Sequence, residues 1–423
     1  MASGAVAETR GSAIDSVSSR IQDVLGKKGF MVAEVVDVVL ERAVACKASD
    51  IHVEPYKGNV RVRYRIDGVF HDVATLPKEI HEQFISRSKV MSNLVSHRRE
   101  VSQEGRITLK IGAAHSDLRV SIVPTVNGEK MVIRIFDPMR ALFELEQLGL
   151  GGTTLEKLED LLYNLQGMII VTGPSGSGKT TTLYACLQRI STQLGKLASI
   201  ITIEDPVEYD LGLFAQMQVN RAQGIDFASG LSFVLRQDPE VIMVGEVRDT
   251  ETCEVALQAG LTGHLVLTTI HAGTGCEVVT RLLDMKMKPF VVASAVTGVL
   301  AQRLIRTVCG ECKQSYQPPK PLIELCEKMT GRKDAAFAKG KGCASCQGTG
   351  YRGRAAISEL LVMDEEVRSK VLTIPSTSDL QKFALSRGQK PLLLDGLEKA
   401  AAGLTTLEEV LWVAGVSTKY LPV

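Results

Sequence analysis

The chain has 423 residues, 45% of them hydrophobic and 23% charged. At roughly 150 residues per domain this length supports two to three domains with sizeable cores, and the composition excludes a globally disordered chain. Its 49 basic and 48 acidic side chains leave a net charge of +1, so bulk charge does not hold it on nucleic acid or anionic lipid, and such a contact needs a local patch.

The first 30 residues are rich in Gly, Ala and Ser and read as a flexible arm with one short helix near 14–25. They contain no continuous apolar signal core and carry Glu8 and Asp15, which makes the cytosol the expected compartment. From Val32 to Ala45 the apolar residues recur at helical spacing, and the segments after them alternate between Gly, Asn and Asp turns, as strands do. A helix around 78–94 and three further strand-like runs complete a mixed α+β domain over 31–140, its boundary falling at about 137–150.

The pattern then changes. MIIVTG, SIITIEDP, VIMVGEV and HLVLTTI are four apolar runs of strand length separated by helix-compatible segments, the signature of a parallel sheet buried on both faces. We assign 141–300 to this α/β core. After about Phe290 the chain reads as helical, interrupted by paired cysteines and closed by the amphipathic segment Thr405 to Val416, giving a C-terminal part over 301–423. No stretch reaches the ~18 consecutive apolar residues of a membrane-spanning helix; the run 289–301 is broken by Ser294 and Thr297. No repeat of solenoid length is present.

The strongest motif runs through Gly173, Pro174, Ser175, Gly176, Ser177, Gly178, Lys179, Thr180 and Thr181. It matches G-x-x-x-x-G-K-[ST] after a strand and before a helix, the context of a P-loop. Its glycines let backbone N–H groups turn inward on phosphates, the helix N-terminus adds positive charge, Lys179 reaches the β and γ phosphates, and Thr180 offers an oxygen to Mg²⁺. Such a loop needs an acidic group on a neighbouring strand. Glu246 ends the run VIMVGE, and Glu204, Asp205 and Glu208 follow the run ITI, all at the strand edge where α/β sheets bind ligands. Solvated loop carboxylates are the plainer reading of Glu204, Asp205 and Glu208.

His264 and His271 bracket the fourth apolar run. Both also suit partly buried polar positions, and His271, past the strand's C-terminal end, is better placed to sense phosphate. Arg236, Arg248 and Asp249 lie near Glu246 and could contact nucleotide or a neighbouring subunit; spacing does not choose. In the first domain Arg61, Arg63 and Arg65 alternate along one strand face. They form either a solvated face or a set that reaches a nucleotide held elsewhere.

Cys309 and Cys312, then Cys343 and Cys346 after a 30-residue insert, have the spacing of a structural zinc site, closed by four thiolates. A nucleic-acid-binding ribbon is the alternative. Cys46, Cys186, Cys253, Cys276 and Cys326 are scattered and read as small buried hydrophobes.

Together, ASDIHVEP (48–55), RYRIDG (63–68), GEKMVIRI (128–135), GPSGSGKTTTLY (173–184), TIEDPVEY (202–209), LRQDPEVIMVGEVRD (235–249), LTGHLVLTTIHA (261–272) and LAQRLIRTVCGEC (300–312) resemble the GspE/PilB-type secretion ATPases over about 32–416. The resemblance implies a RecA-like P-loop core preceded by a smaller PAS-like α+β domain, with ATP between the two. It also implies a homohexamer on the cytoplasmic face of the inner membrane that powers type II secretion or type IV pilus assembly. Its implied partners are an inner-membrane platform protein and a cytoplasmic-domain docking protein. Carried onto this chain, it makes 173–180 the Walker A motif, Glu204, Asp205 and Glu208 the Asp box, Gly245 and Glu246 the Walker B end, and His264 and His271 the His box. Arg106 and Arg119 fall where arginines approach the phosphates. Glu246 would orient or deprotonate water, Glu204 would help place Mg²⁺ and water, and the cysteines match a zinc element of secretion and pilus-extension members. A RecA-like nucleic-acid motor with a zinc ribbon is the competing reading; the neutral net charge speaks against it, and no nucleic-acid partner is expected.

Overall fold

A computed structural model describes residues 10–111, 114–136, 143–195 and 198–416. Part of the expected arm, 1–9, and part of the expected domain boundary, 137–142, lie outside the described residues. The chain forms two compact units. The first holds 10–136 together with Val308–Gln314 and Lys339–Gly353, and the second holds the rest. The cysteine segments, expected in a C-terminal part, thus group with the first unit.

In the first unit, helix α1 spans Arg10–Leu25 and α2 spans Val32–Ala45. Val17, Ile21 and Val24 recur at helical spacing and are buried against the same core as Val35, Val36, Val39 and Leu40. The short helix expected near 14–25 is present and begins earlier, at Arg10; its few apolar residues share one helix face and that face is covered. Strands β1 (Asp50–Pro55), β2 (Asn59–Ile66) and β3 (Val69–Pro77), helix α3 (His81–Met91), and strands β4 (Gln103–Ile111), β5 (Ala114–Thr125) and β6 (Gly128–Phe136) follow. The strands form one antiparallel sheet, ordered β3-β2-β1-β6-β5-β4. Asp67 and Gly68, both at positive φ, close the β2–β3 hairpin, as a two-residue turn of this type requires. Period-two alternation sends Ile51, Val53, Val60, Val62 and Tyr64 into the core and leaves the charged residues on the opposite face.

The second unit begins with α4 (Gly152–Tyr163), β7 (Gly167–Thr172), α5 (Lys179–Leu194), β8 (Ile200–Glu204) and β9 (Ala215–Gln218). It continues through α6 (Phe227–Val234), β10 (Val241–Val244), α7 (Thr250–Leu261), β11 (Leu265–Ile270), α8 (Gly275–Asp284), α9 (Pro289–Ala295) and β12 (Val296–Val308). Beyond β13 (Lys313–Ser315) and β14 (Ala338–Gly340), which lie mostly in the segments of the first unit, the chain adds α10 (Lys320–Thr330), β15 (Tyr351–Val362) and helices α11 (Glu365–Leu372), α12 (Thr377–Ser386), α13 (Leu392–Ala401) and α14 (Leu407–Ala414). Seven strands make the main sheet, ordered β15-β12-β7-β11-β10-β8-β9, and β12, β7, β11, β10, β8 and β9 run parallel. Every residue of β7, β10 and β11 is buried. Met168 and Ile170 enter one core while Ile169 and Val171 enter the other, which is why these strands read as unbroken apolar runs.

The stretch after Phe290 is not purely helical. Val296–Val308 and Tyr351–Val362 are strands that extend the parallel core, and they carry Thr, Val and Ile at the positions that pack on a pleated surface. Helices α10 to α14 and the two-stranded pair β13–β14 account for most of the rest. Among the described residues no helix is long and apolar enough to cross a membrane.

Candidate active site and metal centre

Strand β7 delivers the loop 173–178, and α5 begins at Lys179. Gly173 has φ 145, and a Cβ there would lie 2.3 Å from the carbonyl oxygen of Gln302, so only glycine fits the first position of the loop. Lys179 is half-buried and its Nζ donates to the carbonyl oxygens of Gly173 (3.0 Å) and Pro174 (3.1 Å). Burial pushes its pKa down, and the charge of Glu246 opposes that shift. Ser177 is buried and its Oγ has no protein partner. Thr180 and Thr181 stand in the first turn of α5.

Gln302 was not anticipated. It is 1% exposed on β12; its Nε2 donates to the Ser177 carbonyl (2.9 Å) and its Oε1 accepts from the Thr182 hydroxyl (2.9 Å). One amide thus braces both the loop and the helix it feeds. Nothing local marks it, because its partners are 125 and 120 positions away.

The parallel strands bring Glu246, just past β10, to the same sheet edge as the loop. Its Oε1 pairs with Arg248 at 2.7 Å and its Oε2 lies 3.8 Å from His271 Nε2. His271 follows β11, and its carbonyl accepts from Arg281. Asp249, left open by the sequence, caps α7: its carboxylate accepts from the N–H (2.8 Å) and hydroxyl (3.0 Å) of Thr252. His264 departs from expectation. It precedes β11, at the end of the strand away from the loop, and its Nδ1 is 3.1 Å from the Ala259 carbonyl. A six-residue strand separates it from His271, about 20 Å at the usual rise, so within one subunit the two histidines do not meet at one phosphate.

Glu204 ends β8 and is 3% exposed. It accepts from the hydroxyls of Thr202 (2.7 Å) and Tyr184 (2.5 Å) and the amide of Gln216 (3.0 Å). Asp205 pairs with Arg221 at 3.0 Å, and Glu208 is partly buried in the segment that follows.

In the first unit Arg106 on β4 is paired in register with Arg119 on β5, Arg119 with Arg134 on β6, Arg134 with Asp50 on β1, and Asp50 with Arg65 on β2. The two expected arginines therefore belong to a row that crosses five strands, with Arg134 as a further member. Arg63 and Arg65 are engaged on their own face. Arg63 is 2.5 Å from Glu54 and Arg65 is 3.5 Å from Asp50, and both stack on Phe70. Of the alternating set, Arg63 and Arg65 are thus paired with carboxylates, while Arg61 lies over the Tyr56 ring at 5.2 Å.

The four cysteines converge in the first unit. Sγ separations are 3.9 Å for Cys309–Cys343 and 3.7 Å for both Cys312–Cys346 and Cys343–Cys346. A tetrahedron of thiolates at ~2.3 Å from zinc has edges of about 3.8 Å, so the donor set fits a closed zinc site. Backbone N–H groups of Cys343 and Gly350 donate to Cys346 Sγ at 3.2 Å, which favours a thiolate there. The remaining five cysteines are buried, as expected.

The family model for the type II/IV secretion system protein matches residues 27–412. The chain is 42% identical over 385 residues to type II secretion system protein HxcR of Pseudomonas aeruginosa, covering 91% of this chain and 78% of that protein. It is 39% identical over 383 residues to type II secretion system ATPase E of Vibrio cholerae, covering 90% and 75%. To type IV pilus assembly ATPase PilB of Thermus thermophilus it is 43% identical over 374 residues, covering 88% of this chain and 42% of that protein. Among solved structures, the Legionella pneumophila ATPase DotB superposes with a TM-score of 0.68 at 20% identity, over 93% of this chain and 99% of that one, a likeness of fold. The pilus retraction motor PilT with bound ADP superposes with a TM-score of 0.60 at 25% identity, over 92% and 98%.

Proposed function

The chain belongs to the type II/IV secretion system protein family and is an ATPase, and we propose that its hydrolysis of ATP powers assembly of a type II secretion pseudopilus or a type IV pilus. The reading is carried by one observation: Lys179, Glu246 and His271 stand at the sheet edge that holds the loop 173–178. Residues 173–181 cradle the phosphates, Lys179 neutralises charge on the β and γ phosphoryl groups, and Glu246 orients or deprotonates the attacking water. His271 senses the terminal phosphate. Thr180, Glu204, Asp205 and Glu208 are oxygen donors that would hold Mg²⁺ or its water shell, and the ion would offset phosphate charge. Glu204, whose oxygens already accept three protein hydrogen bonds, acts through water. Arg106 and Arg119 are cations suited to phosphate, and the four cysteines hold structural zinc.

The working form is a homohexamer at the cytoplasmic face of the inner membrane, bound to a platform protein and to a cytoplasmic docking protein. Support comes from the identities to relatives named for type II secretion and type IV pilus assembly. ATP turnover of the purified full chain, measured with oligomeric mass and with or without DNA, tests this reading. A hexamer whose turnover ignores DNA supports it. Turnover accelerated by DNA contradicts it in favour of a nucleic-acid motor.

A further inference from the structure

Glu204 sits in a buried network that reaches beyond the phosphate motif. Its Oε2 accepts from the Tyr184 hydroxyl at 2.5 Å, and its Oε1 accepts from Thr202 Oγ1 at 2.7 Å and Gln216 Nε2 at 3.0 Å. The three donors come from α5, from β8 and from β9. Tyr184 is 1% exposed and lies on the helix that Lys179 begins. Its ring meets Tyr209 and Phe214 edge-on, at centroid distances of 6.4 and 6.3 Å. Gln216 Nε2 also donates to the Tyr209 carbonyl at 2.9 Å, and its Oε1 accepts from the Leu211 N–H at 3.1 Å. The network therefore ties the P-loop helix to Glu204 and to the segment that carries Asp205 and Glu208.

We infer that Tyr184 and Gln216 are positioning residues that hold the Glu204 carboxylate for turnover, with Tyr184 fixing it to the helix that carries Lys179 and Thr180. A carboxylate pinned at both oxygens keeps one orientation, and charge-assisted hydrogen bonds supply most of that restraint. Partners of this kind around a metal-placing group typically carry a 10–100-fold effect. The inference rests on the reading of Glu204 as a carboxylate that places Mg²⁺ and water.

Tyr184→Phe keeps the ring and its packing and removes only the hydroxyl. In the full chain, kcat falls about tenfold or more and half-saturating Mg²⁺ rises several-fold, while KM for ATP stays within about threefold. Gln216→Leu, at a less buried position, gives the same split by a different route and keeps the test open if the tyrosine variant does not fold. Glu204→Gln separates the two layers. If Glu204→Gln turns over like wild type, the reading of Glu204 itself is wrong. If Glu204→Gln is inactive but Tyr184→Phe and Gln216→Leu keep wild-type kcat and Mg²⁺ dependence, the positioning inference alone is overturned. A loss of thermal stability with kcat and Mg²⁺ dependence unchanged also overturns it, because that is the result of packing alone.

Discussion

At the P-loop, the loop backbone is shaped by consecutive residues but held by one distant amide. Gln302 has both polar ends engaged in a buried setting, so Gln302→Leu strands the Ser177 carbonyl and the Thr182 hydroxyl at a cost of about 1–3 kcal/mol. We expect the apparent affinity for ATP to drop by about tenfold or more, read with a fluorescent nucleotide analogue; unchanged affinity would show that the brace is dispensable. The histidines separate likewise. His271→Gln reduces turnover because the residue stands 3.8 Å from Glu246. His264→Gln lowers thermal stability with KM retained, because its ring contacts the Ala259 carbonyl at the other end of β11. Paired melting and steady-state kinetics distinguish them, and equal loss of kcat in both variants would contradict the assignment. The phosphate motif was legible in the sequence because phosphate binding constrains neighbouring residues. Tyr184, Gln216 and Gln302 were not, since each acts through a partner brought near only by the fold.

Among the elements, the cysteine centre was legible from its spacing, whereas its surroundings were not. The turn Ala344–Cys346 packs against α1, and the Gly353 N–H donates to the Asp67 carboxylate at 2.9 Å, contacts between segments more than 280 positions apart. A metal that orders the four thiolates therefore also orders the surface on which α1 rests. Elemental analysis should find about one zinc per chain, from the four-thiolate stoichiometry. Chelation should then raise hydrogen exchange in residues 17–25 while leaving β7 and β10 protected. Exchange in 17–25 that ignores the metal would break this link. Strands β12 and β15 were hidden for a different reason. Their apolar runs are followed or preceded by polar, arginine-bearing stretches, so neither periodicity dominates until β7 is present to pair with β12.

At the scale of the whole molecule, three histidines of the first unit link stability to pH. His52, His71 and His81 all have lowered pKa values, desolvation by burial being the leading cause in each. His81 is 4% exposed and its Nε2 is 2.9 Å from the Glu129 carbonyl. The folded state prefers the neutral rings, so their contribution to stability is complete above the unfolded value near 6.5 and is lost as pH falls through the lower folded values. Thermal melts of the full chain should hold steady from about pH 8 to 7 and decline below about 6.5. His81→Gln, which keeps a donor but cannot gain a proton, should flatten that decline. The change from an antiparallel to a parallel sheet was readable from the change between alternating and continuous apolar runs. The membership of the cysteine segments in the first unit was not, because it depends on contacts that no local pattern encodes.

We propose that this sheet edge binds ATP through Lys179 and cleaves it through Glu246. The most direct test is a single-turnover experiment on Glu246→Gln in the full chain, with bound ATP and released phosphate both quantified. ATP should stay bound with near wild-type affinity and should not be cleaved on the wild-type timescale. Wild-type cleavage by the variant would mean that the water-activating carboxylate lies elsewhere.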